Sequence, residues 1–378
     1  EVALALVLLV SAALFIRSFA SLHTRELGFD PAPLMTLRIY LPGEAYVPDE
    51  AKRLRLEDLV RRIEALPGVE SAVASNTIVM SGGGDEDALI LEGRDVKPGE
   101  EPLARYTGAT AHWHRTLGVP ILRGRDLTES EAQTRSGVTV VSESFAKRHW
   151  PDEDALGRRF AFKNDPTHQW ITVVGVARDY LVDGVDDREV VPFAVVGYPY
   201  VPTLNNGITV RAKSGDPAGL MPAIRGAIRA SDPSLPVFAV DTMDQVRQAT
   251  FWQYGLFGSM FTIFGGIALL LAMIGVYGVI AYGVSQRTHE IGVRMALGAH
   301  ERDVLGMVLG QGLKLAAIGI GIGLVAALGA GRVIASILWT SPSDPVSFGG
   351  IAALLTITVA LASWIPARRA ARVDPMVA

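Results

Sequence analysis

Four stretches of this 378-residue chain carry almost no charge, and they decide what it can fold into. Residues 248–286 and 345–367 hold no Asp, Glu, Lys, Arg or His, and residues 304–331 hold only Lys314. Residues 2–16 are apolar apart from Ser11. An uncharged apolar run of about 18 residues or more suits a membrane-spanning helix, because lipid offers its backbone no hydrogen-bond partner outside the helix. Three runs pass that test. The first is shorter, but Arg17 can snorkel to the interface and extend the span through Ser18–Leu22. Glu1 replaces the basic flank of a secretory signal, and no clear small-residue cleavage site follows. The expectation is therefore four transmembrane helices: one over residues 1–21, then three at about 256–284, 305–331 and 346–366.

Basic residues in the short connections set the topology. Residues 285–303 carry Arg287, Arg294 and Arg302, and the tail carries Arg368, Arg369 and Arg372. The connection 332–345 carries only Arg332. The first two segments are read as cytoplasmic, with both chain ends inside and residues 22–250 outside. Lys314 falls near the cytoplasmic end of its run, where snorkelling accommodates it. Residues 248–286 as one helix would reach about 58 Å, well beyond a hydrocarbon core of about 30 Å. The helix is therefore expected to protrude, with Thr242–Tyr254 as a stalk, the alternative being a break near Gly255 or Gly265-Gly266.

The polar block 22–250 reads as an α+β domain. Leu34–Leu41 alternates as a strand, and Asp49–Leu66 places Leu54, Leu59, Val60, Ile63 and Leu66 at helical spacing. Pro67-Gly68 stops that helix and Val69–Met80 resumes as a strand. A second βαβ signal runs through Gly207–Ala212, Pro217–Ala230 and Val237–Val240. The two halves suggest one α+β subdomain with a β-rich insert over residues 81–206. Strands are expected there at Ala88–Glu92, Thr139–Ser142, Arg159–Phe162 and Trp170–Ala177, with a short helix at Ser142–His149.

Composition excludes several chemistries. The net charge of −4 argues against nucleic acid as a partner. With no Cys there is no disulfide, thiol nucleophile or thiolate metal site. The sequence contains no Gly-x4-Gly-Lys-Ser/Thr phosphate loop and no Gly-x-Ser-x-Gly elbow, so the chain is read as neither an ATPase nor a hydrolase. No catalytic residue, cofactor or metal is assigned. His112-Trp-His114 lacks a third ligand at a convincing spacing, and the two His would share a strand face at best. Gly82-Gly-Gly-Asp-Glu-Asp87 reads as a solvated acidic turn.

Between the second and third spans lies Arg287-Thr-His-Glu-Ile-Gly-Val-Arg-Met-Ala-Leu-Gly-Ala299. Ile291 and Met295, four apart, can sit in the membrane interface while Arg287, Glu290 and Arg294 face the cytoplasm. Gly292 and Gly298 allow close approach or a tight turn. Such a segment is either an interfacial anchor or a docking surface offering both charge signs. Gly319-Ile-Gly-Ile-Gly323 has small-xxx-small spacing, and Gly275 and Gly278 can act likewise, either within the chain or at a seam with a second copy.

Four motifs resemble one family, the FtsX-like / MacB-type permeases of ABC transporters. Glu290-Ile-Gly-Val-Arg-Met-Ala-Leu-Gly-Ala299 resembles its cytoplasmic signature, and Pro366-Ala-Arg-Arg-Ala-Ala-Arg-Val-Asp-Pro375 its C-terminus. Leu117-Gly-Val-Pro-Ile-Leu-Arg-Gly-Arg-Asp126 resembles its periplasmic core domain. So does Val141-Ser-Glu-Ser-Phe-Ala-Lys-Arg-His-Trp-Pro151, followed by Gly157-Arg-Arg-Phe160. The start, Glu1-Val-Ala-Leu-Ala-Leu-Val-Leu-Leu-Val, is similar to the second repeat of the family's duplicated permeases, which makes the chain the later half of a longer protein.

The resemblance implies an α-helical transmembrane protein of the bacterial inner membrane. Its periplasmic core domain, 22–250, would have a porter-like βαβ pair and the β-rich insert, and its FtsX-like permease domain would span 251–378. It implies a separate cytoplasmic ABC-type ATPase docking on Arg287, Glu290, Ile291, Gly292, Arg294, Met295 and Gly298. It also implies a second permease half or copy, contact with a periplasmic adaptor, and ATP-driven movement of the periplasmic domain for export. An alternative is a permease-like signalling protein that passes the same motion to a periplasmic partner. A membrane-anchored enzyme or receptor unrelated to ATPases is disfavoured by the cytoplasmic signature. No substrate can be read from the residues.

Overall fold

The computed structural model describes residues 1–23, 26–82, 84–94, 96–97, 99–182, 191–297, 300–333, 341 and 343–370. Helix α1 (Val2–His23) opens the chain, followed by β1 (Leu34–Tyr40), α2 (Asp49–Glu64) and β2 (Val69–Ser75). Then come β3 (Asp85–Leu91), β4 (Leu103–Ala109), α3 (Trp113–Leu117), β5 (Ile121–Gly124), α4 (Glu129–Ala132), β6 (Val138–Ser142) and α5 (Glu143–His149). Strands β7 (Arg159–Phe162), β8 (Ile171–Ala177), β9 (Phe193–Gly197) and β10 (Asn205–Ala212) lead to α6 (Met221–Ser231) and β11 (Val237–Thr242). The chain ends in helices α7 (Met243–Gln286), α8 (Thr288–Ala296), α9 (Glu301–Val333) and α10 (Pro345–Ala370). It divides into two compact units, one of residues Glu1–Thr24 with Phe251–Ala378 and one of Arg25–Thr250.

In the Arg25–Thr250 unit the two βαβ halves interleave. The strand order β11-β1-β10-β2 is antiparallel throughout, so β1 and β2 run parallel with β10 between them. This is the split βαβ arrangement of a ferredoxin-like sheet. Its core joins Leu37 and Ile39 of β1 and Ile208 and Val210 of β10 to Leu56, Leu59 and Ile63 of α2 and Ile224 and Ile228 of α6. Helix α2 forms because Asp49 and Glu50 complement its N-terminus, Arg61 and Arg62 its C-terminus, and one face is apolar. Leu54, expected on that face, is exposed.

Between β2 and β10 the chain builds a closed ring of strands, β4-β3-β7-β8-β6-β9, with β9 returning to pair in parallel with β4. Closure leaves no free edge in that ring. Leu89, Phe145, Phe160, Phe162, Val173 and Val196 share one core, and Ser142 caps α5 by accepting from Phe145 N–H at 3.2 Å. Strands β4, β5 and β9 went unexpected. So did the early end of β2 at Ser75, after which Asn76 accepts from Thr107 Oγ1 and Gly108 N–H at 2.6 and 3.0 Å.

In the other unit, Gly255–Gln286, Glu301–Val333 and Pro345–Ala370 are long and apolar enough to cross a membrane, by length and composition. Helix α1 is apolar over Val2–Ser18. Helix α7 runs from Met243 past Gly255 and Gly265-Gly266 without a break. Leu6, Val10, Leu14, Val276, Ile280, Val308, Ala316 and Val359 lie in one core cluster that α1, α7, α9 and α10 share. Arg17 does not simply snorkel: it pairs with Asp344 at 2.6 Å. The same carboxylate caps α10, accepting from Ser347 N–H at 2.8 Å and its hydroxyl at 2.6 Å.

Candidate functional site

Helix α7 passes into α8 across one non-helical residue, Arg287, at φ −110° and ψ 13°. The turn closes by Arg287 N–H donating to Val284 C=O at 3.1 Å, while Thr288 Oγ1 donates to Val284 and Ser285 carbonyls at 3.1 and 3.0 Å. These bonds occupy carbonyls that the end of α7 leaves without helical partners. Helix α8 then lies against the bundle by one side. Ile291 is 4 % exposed and belongs to the core cluster, and Met295 packs partly buried against it.

The opposite side is open. Glu290 and Arg294 are each about half exposed and close on one another at 2.6 Å, four residues apart. Glu290 sits in the first turn and Arg294 in the last, each at the helix end whose partial charge it complements. Arg294 also reaches Met307 Sδ at 3.4 Å. Arg287 is exposed and Gly292 lies within α8. Gly298 lies outside the described residues. Beyond it, His300 N–H donates to Asp303 Oδ2 at 3.0 Å, fixing the first turn of α9.

Sequence reasoning missed two residues of this face. Val293 and Leu297 are 47 % and 83 % exposed. Their spacing of four was visible. Their exposure was not, because an apolar residue beside two membrane runs looks buried by default.

The packing glycines separate into two groups. A Cβ built on Gly319 would lie 2.8 Å from Val2 Cβ, and one on Gly323 would lie 3.0 Å from Leu6 Cβ and 3.1 Å from Ala3 Cα. These glycines therefore admit α1 of the same chain. Gly275 faces the Glu1 carboxylate, and a Cβ built on Gly278 meets nothing within 4 Å among the described residues outside its own helix backbone.

Other candidates are accounted for within the Arg25–Thr250 unit. His112 and His114 do not share a strand: His112 has φ +72° and His114 belongs to α3. His114 Nδ1 lies 2.8 Å from Asp126 Oδ1, a partner brought in by the turn through β5. Burial pushes the Asp126 carboxyl up, but His114, the Leu127 N–H and His112 together hold it below its ordinary value. Trp113 donates to the buried Tyr180 hydroxyl at 2.8 Å. Gly118, at φ +72°, leaves room for Arg211 Nη2, which a Cβ would approach to 2.6 Å. The acidic turn is largely strand: Asp87 is buried in β3 and accepts from Asn164 N–H and Nδ2 at 3.1 and 2.7 Å. Among the described residues no group of three or more His, Cys, Asp or Glu side chains is placed to hold a metal ion.

Helices long and apolar enough to cross a membrane, a short helix exposed on one side and a separate folded α+β unit are the parts of a membrane protein with a domain outside the bilayer. The MacB-like periplasmic core domain family matches residues 2–227, and the FtsX-like permease C-terminal family matches residues 262–375. The first match alone covers more than half of the chain, and the chain belongs to this family of MacB-like, FtsX-type permeases.

Among curated relatives, the pyoverdine export ATP-binding/permease protein PvdT of Pseudomonas savastanoi pv. phaseolicola is 25 % identical over 352 residues, covering 90 % of this chain and 50 % of that protein. The macrolide export ATP-binding/permease protein MacB of Neisseria meningitidis serogroup A is 27 % identical over 318 residues, covering 81 % and 47 %. The chain thus spans about half the length of the curated relatives it matches. The solved periplasmic region of MacB from Actinobacillus actinomycetemcomitans aligns with 61 % of this chain and 97 % of its own, at 15 % identity and a TM-score of 0.40, too low to define the fold.

Proposed function

We propose that this chain is the permease part of an ABC transporter that exports a substrate by ATP-driven motion of its extracytoplasmic unit. In this reading α1, α7, α9 and α10 cross the bacterial inner membrane. The Arg25–Thr250 unit lies in the periplasm, where a periplasmic adaptor meets it, and both ends of the chain lie in the cytoplasm. A separate ABC-type ATPase docks on α8, and a second permease half or copy completes the transporter. The relatives named for export support the direction of transport.

The observation that carries the proposal is the placement of α8. It sits between two helices long enough to span a membrane, anchored by Ile291 and open on the side of Glu290 and Arg294. A rigidly seated helix transmits force between a motor and the spans it connects. The test is to reconstitute the full-length parent protein in nanodiscs and add the purified ABC-type ATPases of the source cell one at a time. One of them should hydrolyse MgATP several-fold faster with the permease present. No stimulation by any of them would reject the proposal.

A further inference from the structure

The Arg25–Thr250 unit contains a cleft of about 380 Å³ that the transport reading leaves unused. That volume falls in the range of about 300–1,000 Å³ in which proteins hold small molecules. One wall is a single face of α2, where Glu57, Val60, Arg61 and Glu64 recur at i, i+3, i+4 and i+7. The rest of the lining comes from Glu129 and Gln133 at the two ends of α4 and from the turn Thr110–His112 after β4. Val60 and Thr110 are buried, and Thr110 Oγ1 is fixed by accepting from Ala74 N–H at 2.9 Å.

The charges around this cleft differ in how far they are committed. Glu57 is closed on Arg53 at 2.6 Å, with both side chains mostly covered. Glu64 uses one oxygen, Oε1, to accept from Ala72 N–H at 3.0 Å, and the same oxygen lies 3.9 Å from His112 Nδ1. His112 reaches that position from a left-handed backbone, φ +72°, a costly conformation for a non-glycine residue and one that recurs at ligand clamps. Arg61 and Glu129 are exposed, and among the described residues neither side chain has an ion pair or hydrogen bond. With Glu57 neutralised by Arg53, the cleft presents the carboxylates of Glu64 and Glu129 and the guanidinium of Arg61.

Arg61 and Glu64 are three residues apart on α2, so their Cβ atoms lie about 5–6 Å from each other. A ligand of one charge sign would meet a repelling group beside each attracting one. A ligand with an ammonium and a carboxylate a few bonds apart answers both, each through a charge-assisted hydrogen bond. Val60 and Ala111 leave room between them for a short apolar body.

We propose that this cleft binds a small zwitterionic amino compound, with its carboxylate on Arg61 and its ammonium on Glu64 and Glu129. A free amino acid and a dipeptide share that chemistry.

The full-length parent protein in nanodiscs is examined by ligand-observed saturation-transfer NMR, with empty nanodiscs subtracted. The probes are L-alanine and L-alanyl-L-alanine, each also in an N-acetylated form that lacks the ammonium and a C-amidated form that lacks the carboxylate. One of the two zwitterions should bind at about 1 mM or tighter, and its blocked forms at least about tenfold more weakly. Which zwitterion it is distinguishes a free amino acid from a peptide. Arg61→Gln should weaken the zwitterion about tenfold and leave the C-amidated form unchanged, while Glu129→Gln should weaken it similarly and leave the N-acetylated form unchanged. Both side chains are exposed, so neither substitution disturbs the fold. Equal binding of the zwitterion and its blocked forms would overturn the proposal, as would affinity that neither variant weakens or no transfer to any probe at about 10 mM. No ATPase enters the test, so its outcome is independent of the transport reading.

Discussion

The two units of this chain use the same residue types in opposite ways. In the Arg25–Thr250 unit, Leu37, Leu56, Leu59 and Phe160 are fully buried, and charged residues such as Arg105, Arg159 and Glu92 pair at the surface. In the helical unit, Ile263, Leu270, Leu271 and Ile274 of α7 are exposed, while Gly312, Ala316 and Gly323 are buried. The difference is the solvent each surface is built for. In water the hydrophobic effect sorts large apolar side chains inward. In lipid that drive between helices disappears, and small residues that let backbones approach take the interior positions.

Mutations can break or sharpen this contrast. The largest effect is expected from Phe160→Ala, which empties a core shared with Phe145 and Phe162. It should cost about 3–5 kcal/mol, read as a lower thermal midpoint of the Arg25–Thr250 unit. Ile274→Ala removes comparable apolar surface from a side chain that is 65 % exposed, and in nanodiscs it should cost under about 0.5 kcal/mol. Equal losses would mean that the α7 face is covered by protein and not by lipid.

The next effect is confined to the Arg25–Thr250 unit. His149 is buried against Phe145, and among the described residues its Nε2 has no hydrogen-bond partner. Burial, with Arg148 and Arg94 nearby, lowers its pKa from 6.5 to about 4. The native state therefore binds fewer protons than the unfolded one between these values. The stabilisation from a neutral His149 is complete above pH 6.5 and is lost as pH falls towards about 4. Denaturant titrations of wild type should show a fall of about 2–3 kcal/mol over that window, and His149→Phe should flatten it. An unchanged slope would place the titration elsewhere.

The smallest of the three probes the helical unit. Gly323→Leu must displace Leu6 and Ala3 of α1 and should cost about 1–3 kcal/mol in a dodecyl sulfate unfolding titration. Gly321→Leu, where an added Cβ meets nothing within 4 Å among the described residues outside its own helix backbone, is its control and should be near neutral. A reversed order would move α1 to another face of α9.

The elements most legible in the sequence were those with a strong period or none of the competing signals. Helix α2 was announced by its apolar spacing and the Pro67-Gly68 stop. The spacing of Ile291 and Met295 marked one apolar side of α8 but assigned it to the membrane interface, whereas Ile291 is buried in the helical core cluster with Met295 packed against it. Strands β4, β5 and β9 were missed because they carry no clean alternation: Leu103–Ala109 includes Arg105, Tyr106 and Gly108, and Phe193–Gly197 is buried along its whole length. The candidate site was legible as a segment but not as a surface. Nothing in the spacing of Glu290 and Arg294 says whether they serve a partner or each other.

By itself the sequence determined which runs are long and apolar enough to cross a membrane, which connections carry positive charge, and that one amphipathic helix lies between two apolar runs. Those are local properties: composition over about 20 residues and a period of 3.6 suffice to read them. Tertiary structure alone decided that the two βαβ halves interleave in one sheet and that β9 closes a ring on β4. It also decided that Arg17 meets Asp344 across 327 positions, and that Gly319 and Gly323 admit α1. Each of these depends on which distant surfaces fit together, and the free energy of that fit belongs to pairs of segments and not to either one.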